Sequence, residues 1–204
     1  MLRVAILDNH PAVLLGLQRL VERTAGLEAV LVADDAAEFR RALEHVRADV
    51  VVLDYDLGRG GDGLALCHRL RDRIRPPAVV VYSAYAGPGL AVAARVAGAQ
   101  ALIDKRAPAD DLVDAIRRVA AGEILIPEVE RDVREAAIAR LDPEQVPVVS
   151  MRLAGTSHQG IAEALGTDRR DVVRRVDRIV GQLRPKPAFR VGRQPERAPW
   201  AVGH

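Results

Sequence analysis

Two carboxylates, a hydroxyl and an ammonium, each lying just past a short apolar run, are the side chains of this sequence best equipped for chemistry. Asp8 follows the run 4–7, Asp54 follows 50–53, Ser83 follows 78–82 and Lys105 follows 101–103. Asn9 stands next to Asp8, and Asp56 lies two residues beyond Asp54. Carboxylates joined by a backbone carbonyl make a hard oxygen site suited to Mg²⁺. A hydroxyl and an ammonium can hold phosphoryl oxygens, while a remaining carboxylate oxygen can act as nucleophile. The set points to phosphoryl transfer onto an aspartate. Lys105 is marked further by composition: of thirty basic residues only Lys105 and Lys186 are lysines. A compact ammonium and a planar guanidinium do different jobs.

These side chains can meet only if the segments between them return to one edge. Over residues 1–126, apolar runs rich in Val and Ile (4–7, 29–32, 50–53, 78–82 and 101–103) alternate with stretches of helical spacing, approximately 11–24, 35–47, 62–74, 88–97 and 109–121. That alternation is the pattern of β-α units around a parallel sheet, which gathers ligands outside the carboxyl ends of its strands. The expected fold is an α/β doubly wound, flavodoxin-like domain with a five-stranded parallel sheet over 1–126. Pro127 then opens a polar helical linker, 127–140. A small all-α unit follows over 141–184, with Asp142-Pro143 as a helix start, a second helix from Ser157 ended by Gly166, and a third capped by Asp168. In the third helix Val172, Val173, Val176, Ile179, Val180 and Leu183 recur at helical spacing, and two short helices across a tight Gly-containing turn are the form of a helix-turn-helix. Its polar positions Arg169, Arg170, Arg174, Arg175 and Arg178 suit phosphates and guanine edges. The Pro- and Arg-rich stretch 185–204 reads as a disordered extension.

Composition narrows the classes. With 204 residues, 49% of them apolar, the chain can bury ordinary cores, and its lone Cys67 rules out a disulfide scaffold. The apolar runs are far too short to span a bilayer and no charged-then-apolar leader opens the sequence, so a cytoplasmic protein without membrane insertion is expected. The formal charge of +2 sets up no strong overall field. Its distribution is uneven: residues 1–126 carry 16 basic and 17 acidic side chains, the remainder 14 and 11. His10, His45, His68, His158 and His204 show no ligand spacing with one another or with Cys67, which argues against zinc. Tyr55, Tyr82 and Tyr85 read as packing near the pocket.

Residues 1–126 resemble the receiver domain of two-component response regulators, and 141–183 resemble their LuxR-type (NarL/FixJ class) helix-turn-helix. The receiver segments are Val4-Ala5-Ile6-Leu7-Asp8-Asn9-His10-Pro11, Val51-Val52-Leu53-Asp54, Asp62-Gly63-Leu64, Val81-Tyr82-Ser83-Ala84, Gly98-Ala99, and Lys105 with Pro108. In the rear they are Leu141, Pro143, Gly155, Ser157, Ile161-Ala162-Glu163, Leu165-Gly166 and Val172. The resemblance implies Asp54 as phosphoacceptor, with Ser83 and Lys105 on the phosphoryl group. It implies Mg²⁺ held by Asp8, Asp54 and the backbone carbonyl of Asp56, with Asn9 in the remaining ligand place. It also implies a sensor histidine kinase as donor, DNA as target, a homodimer, and a regulator rather than an enzyme.

Departures from the family pattern qualify those roles. Asn9 is neutral where a second acidic residue is usual, which weakens Mg²⁺ binding. The loop 55–63 is one residue longer than the common form and lacks its proline. Leu102 replaces an aromatic that usually reports phosphorylation. Pro147 falls inside a predicted helix, Val173 replaces a base-reading lysine, and Asp171 and Asp177 add negative charge near where phosphates would lie. Asn9 and Leu102 motivate a second reading, a receiver that works without phosphate through a ligand, a protein partner or constitutive dimerisation. A haloacid-dehalogenase-type phosphatase, suggested by Asp54-Tyr55-Asp56, is disfavoured because the pair follows the third strand and precedes Leu57.

Overall fold

A computed structural model describes residues 1–58 and 61–185. Five parallel strands, β1 (Leu2–Leu7), β2 (Leu27–Ala33), β3 (Val50–Asp54), β4 (Ala78–Ser83) and β5 (Ala101–Asp104), lie in the order β2-β1-β3-β4-β5. Val50, Val51, Val52 and Leu53 of β3 are all buried, because helices cover both faces of the sheet. Helices α1 (Pro11–Arg23) and α5 (Ala109–Ala120) pack on the face that presents Val4, Ile6, Val50, Val52 and Val80. Helices α2 (Ala36–Ala42), α3 (Gly63–Arg71) and α4 (Pro88–Ala97) cover the other, formed by Ala5, Leu7, Val51, Leu53, Val79 and Val81. The expected doubly wound sheet is the observed one. Its strand order reverses between β1 and β3, so the crevice lies where Asp8 and Asp54 leave those strands.

Local chemistry starts and stops the helices. The Asp35 side chain accepts from the amides of Ala37 and Glu38 to cap α2, and Asp62 accepts from Leu64 and Ala65 to cap α3. Helix α2 ends at Ala42, five residues short of the expected bound, and the chain continues in turns. Gly63 opens α3 with no room to spare: an added Cβ would run into the backbone carbonyl oxygens of Asp54 and Tyr55. Gly63→Ala is therefore expected to push α3 off the end of β3, with a loss of about 1–3 kcal/mol in urea unfolding. An unchanged midpoint would contradict that close approach.

Beyond the sheet the linker helix is shorter than expected and is not free. Helix α6 spans Arg131–Ile138, while 127–130 is irregular, and no side chain caps the helix at Glu130. Its half-buried Val133, Ala137 and Ile138 recur on one face and pack into the core. A single 3₁₀ turn, Pro143–Gln145, leads into α7 (Val146–Leu153), so Pro147 lies in a first helical turn where no backbone donor is missed. Helix α8 (His158–Leu165) is capped by Ser157 and ended by Gly166 at φ 62°, and α9 (Arg169–Leu183) is capped by Asp168. Of the apolar set expected to face the core of α9, Val172, Val176, Ile179, Val180 and Leu183 are buried, while Val173 is only partly so.

The two halves share one apolar layer. Seven of the ten residues of α4 are buried, because α3 flanks it while α6, α7 and α9 cover its outer side. Of the expected tail 185–204, only Pro185 falls within the described residues. Among those residues no helix is long and apolar enough to cross a membrane.

Candidate phosphoacceptor site and the docked output helix

Parallel pairing delivers the reactive groups to one rim. β1 pairs with β3 through Leu7 opposite Leu53, which places Asp8 beside Asp54. β4 pairs with β5 through Ser83 opposite Asp104, which brings Lys105 to the same edge. The Lys105 Nζ lies 2.7 Å from Asp8 Oδ2 and 3.0 Å from Asp54 Oδ2. Asp8 is fully buried and Asp54 is 4% exposed, so this ammonium compensates two desolvated carboxylates at once. Burial pushes the Asp54 carboxyl above its usual range, and Asp8 adds to the rise, while the Lys105 ammonium and a hydrogen bond from the Asp56 amide hold it down. The folded state thus retains a proton on Asp54 to higher pH than the unfolded chain, so ionising it costs stability at neutral pH that returns as pH falls.

Two neighbours close the pocket. His10 Nδ1 is 3.0 Å from Asp8 Oδ1 and 3.5 Å from Asp54 Oδ2, and the His10 amide donates to Asp8 Oδ1 at 2.9 Å. Turned so that its nitrogen faces acceptors, the Asn9 amide donates to Asp54 Oδ2 and to the Asp56 carbonyl oxygen, both at 3.2 Å. In that orientation Asn9 offers a donor, and ligation through its oxygen would require the amide to turn over. Ser83 is buried at the end of β4, where its hydroxyl accepts from the Tyr85 amide at 3.0 Å. Leu102 is buried within β5.

The donor set suits a hard divalent cation. Carboxylate oxygens of Asp8 and Asp54 and the His10 ring nitrogen lie within 4.8 Å of one another, and the Asp56 carbonyl shares the Asn9 amide with Asp54. Two carboxylates and a carbonyl are the ligands Mg²⁺ takes. The residues present fit it.

A second cluster joins the rim to the output half. The Tyr55 hydroxyl donates to the Pro185 carbonyl at 2.8 Å, and the Arg184 guanidinium sits 5.5 Å over the Tyr55 ring, within 4 Å of Asp56 and Asp62. Tyr55 therefore tethers the end of α9 to the loop that carries Asp56, a role its sequence position as a strand-end aromatic did not signal. Further along α9, Arg169 donates to Asp72 at 2.6 Å, and the Val173 carbonyl lies 3.2 Å from His68 Nε2.

The five arginines of α9 are not equivalent. Arg169 is held by Asp72 of the receiver half, and Arg174 and Arg175 pair with Asp171 on their own helix. Arg170 and Arg178 are exposed and make no ion pair among the described residues. Asp171 thus neutralises its own helix's arginines, and the side of α9 bearing Arg169, Val173 and Asp177 is turned toward α3.

Comparison with known proteins agrees with this architecture. The model of the response regulator receiver domain matches residues 4–117. A methanol utilization control regulatory protein, MoxX of Paracoccus denitrificans, is 30% identical over 174 residues, covering 79% of this chain and 76% of that protein. A LuxR-family two-component response regulator from Aurantimonas sp. SI85-9A1 superposes with a TM-score of 0.58 at 29% identity, over 67% of this chain and 97% of that one. The RcsB–DNA complex shares the fold over 89% of this chain and 91% of its own, with a TM-score of 0.59 at 21% identity. With its receiver motif matched over more than half its length and its helical rear half aligned with such regulators, the chain belongs to the two-component response regulators of the NarL/LuxR class.

Proposed function

We propose that this chain is a cytoplasmic, DNA-binding transcriptional response regulator whose Asp54 accepts a phosphoryl group from a sensor histidine kinase. The observation that carries the reading is the convergence of Asp8, Asp54 and Lys105 on one sheet edge, with a single ammonium bridging both carboxylates. An Asp54 carboxylate oxygen attacks phosphorus, the P–O bond forms as the P–N bond to the donor imidazole breaks, and that imidazole leaves with a proton. Lys105 then pairs with the new phosphoryl oxygens and Ser83 donates its hydroxyl to another. Mg²⁺, held by Asp8, Asp54 and the Asp56 carbonyl, supplies charge withdrawal from those oxygens when bound. The pocket stores the group and turns over no substrate.

Output follows from what the receiver covers. Arg169 is committed to Asp72 and Val173 faces His68, so α9 cannot enter a major groove while docked. Drawing Lys105 and Asp56 toward a phosphoryl group disturbs the loop to which Arg184 and Pro185 are tied, and this loosens α9 for DNA. Arg169, Arg170, Arg174, Arg175 and Arg178 would then contact phosphates and base edges, with two copies reading paired half-sites as a homodimer.

Incubation with a small phosphodonor and Mg²⁺ is expected to add one phosphoryl group by mass, to strengthen duplex binding, and to do neither in Asp54→Asn. A second reading rests on Asn9, whose amide donates into the pocket as the metal-side acidic residue of the family would not. There the charges of the pocket compensate one another, and α9 is released by a ligand, a protein partner or dimerisation. Absence of any mass gain across donors would favour that reading over the first.

A further inference from the structure

Where α9 meets the receiver, two histidines ninety residues apart are buried edge to face. His68 of α3 is fully buried and His158 of α8 is 6% exposed, with ring centroids 4.8 Å apart and an interplanar angle of 87°. Each has one nitrogen engaged and one bare. His68 Nε2 donates to the Val173 carbonyl at 3.2 Å, leaving Nδ1 without a partner. His158 Nδ1 donates to Asp72 Oδ1 at 3.1 Å, leaving Nε2 without one. Both rings are therefore complete as neutral imidazoles, and a second proton on either would be a buried N–H⁺ with no acceptor.

We propose that His68 and His158 form an acid-released latch, which holds α9 against the receiver while both rings are neutral and frees it when they take up protons.

The surrounding charges set the direction. From α7, Arg152 adds a positive charge with no carboxylate partner among the described residues, its Nε donating to the Val96 carbonyl. From α9, Asp177 lies 3.9 Å from His68 Nε2, and Arg169 shares Asp72 with His158. From α3 comes Asp72 itself, and α4 contributes Arg95, which is turned onto the Leu153 carbonyl. Asp177 favours a charged His68, but burial outweighs it and keeps that ring below the ordinary histidine range. For His158, burial, Arg152 and His68 all oppose the cation, and its value falls to about 4.

The sign follows from linkage. A histidine depressed in the docked form binds its proton more readily once released, so docking is intact above about pH 6.5 and weakens as pH falls, levelling off near 4. His158 alone would weaken docking about eightfold between roughly pH 7 and pH 5.5, and His68 adds to that. The latch needs no phosphoryl group, so it stands or falls separately from phosphorylation of Asp54.

Amide exchange of the full-length chain reads the opening equilibrium directly. Corrected for intrinsic rates, protection at residues 70–72 and 173–177 is expected to drop about eightfold or more from pH 7 to pH 5.5, with protection in β3 and β4 unchanged. Asp54→Asn should behave the same way, whereas His158→Gln should abolish most of the drop and His68→Gln part of it. Protection that is flat with pH in the unsubstituted chain, or an equal drop in both histidine variants, would overturn the latch. If the glutamine variants fail to fold, an NMR titration of the unsubstituted chain decides: a His158 ring that titrates at its ordinary value while docked is the contrary result.

Discussion

Lys105→Ala is expected to lower the unfolding free energy of the chain by about 3–5 kcal/mol at pH 7, the cost of leaving buried charges without their partner. Both carboxylates it serves are nearly inaccessible, and its Nζ is within 3.0 Å of each. Without it Asp8 and Asp54 face one another in a buried pocket, answered only by the exposed ring of His10, the amide of Asn9 and the backbone amides of His10 and Asp56. Two carboxylates in that position share a proton, so the pair's apparent protonation moves upward. The folded variant then binds a proton the unfolded chain lacks, and its deficit against the parent shrinks as pH falls below neutrality. Added Mg²⁺ should stabilise the variant more than the parent, because a divalent cation supplies the missing charge. Urea unfolding at pH 7 and pH 5, with and without Mg²⁺, measures all three effects. A loss below about 1 kcal/mol, or a deficit that grows on acidification, would show that the ammonium is not what holds the carboxylates together.

The receiver was legible in the sequence because its signals are local or tied to the strand period. A strand buried on both faces writes itself as an unbroken apolar run, and 50–53 and 78–82 place β3 and β4 to within one residue. Parallel strands expose their carboxyl ends on one edge, so the strand pattern alone gathers Asp8, Asp54 and Lys105. The near-exclusive use of Arg, with Lys186 the one other lysine, singled out Lys105, whose point charge bridges two acids. What spacing could not supply was contact across the domains. His68 and His158 are ninety residues apart and share no motif, and Tyr55 reaches Pro185 over 130 positions. A clue did exist in 88–97, which is apolar around nearly its whole circumference. A helix with no polar face needs cover on every side, and α6, α7 and α9 provide it. The same contact explains why α6 is a packed element rather than a free linker.

Val176→Asp is expected to cost at least about 4 kcal/mol, since Val176 is fully buried in α9 and an ionised carboxylate there meets no partner. The damage should be confined by the way the cores divide. Val176 belongs to the cluster that runs from α9 through α4 and α3 to one face of the sheet, while α1 and α5 seal the other face with a separate set around Val4, Ile6 and Val52. Amide exchange is expected to lose protection in α7, α8 and α9 while β1, β3 and β4, which are also held by the separate cluster beneath α1 and α5, keep theirs. Simultaneous loss in the strands would mean that the two clusters unfold as one. The comparison with Asp72→Ala turns this into a statement about switching. Asp72→Ala removes the acceptor shared by Arg169 and His158 without touching the α9 core, and partly exposed ion pairs of this kind contribute about 1 kcal/mol or less. It should tilt the docked equilibrium and strengthen duplex binding a few-fold. Val176→Asp should undock α9 completely and yet bind DNA no better, because the helix proposed to read DNA is then no longer packed. A phosphoryl group on Asp54 can add only a few charge-assisted hydrogen bonds, each about 1.5–3 kcal/mol, and driving a 1:99 equilibrium to 99:1 takes about 5.5 kcal/mol. A signal of that size can reverse docking only if the apolar layer that α9 shares with α4 is repacked rather than left exposed on release, while the polar rim of Asp72, Tyr55 and Arg184 is given up.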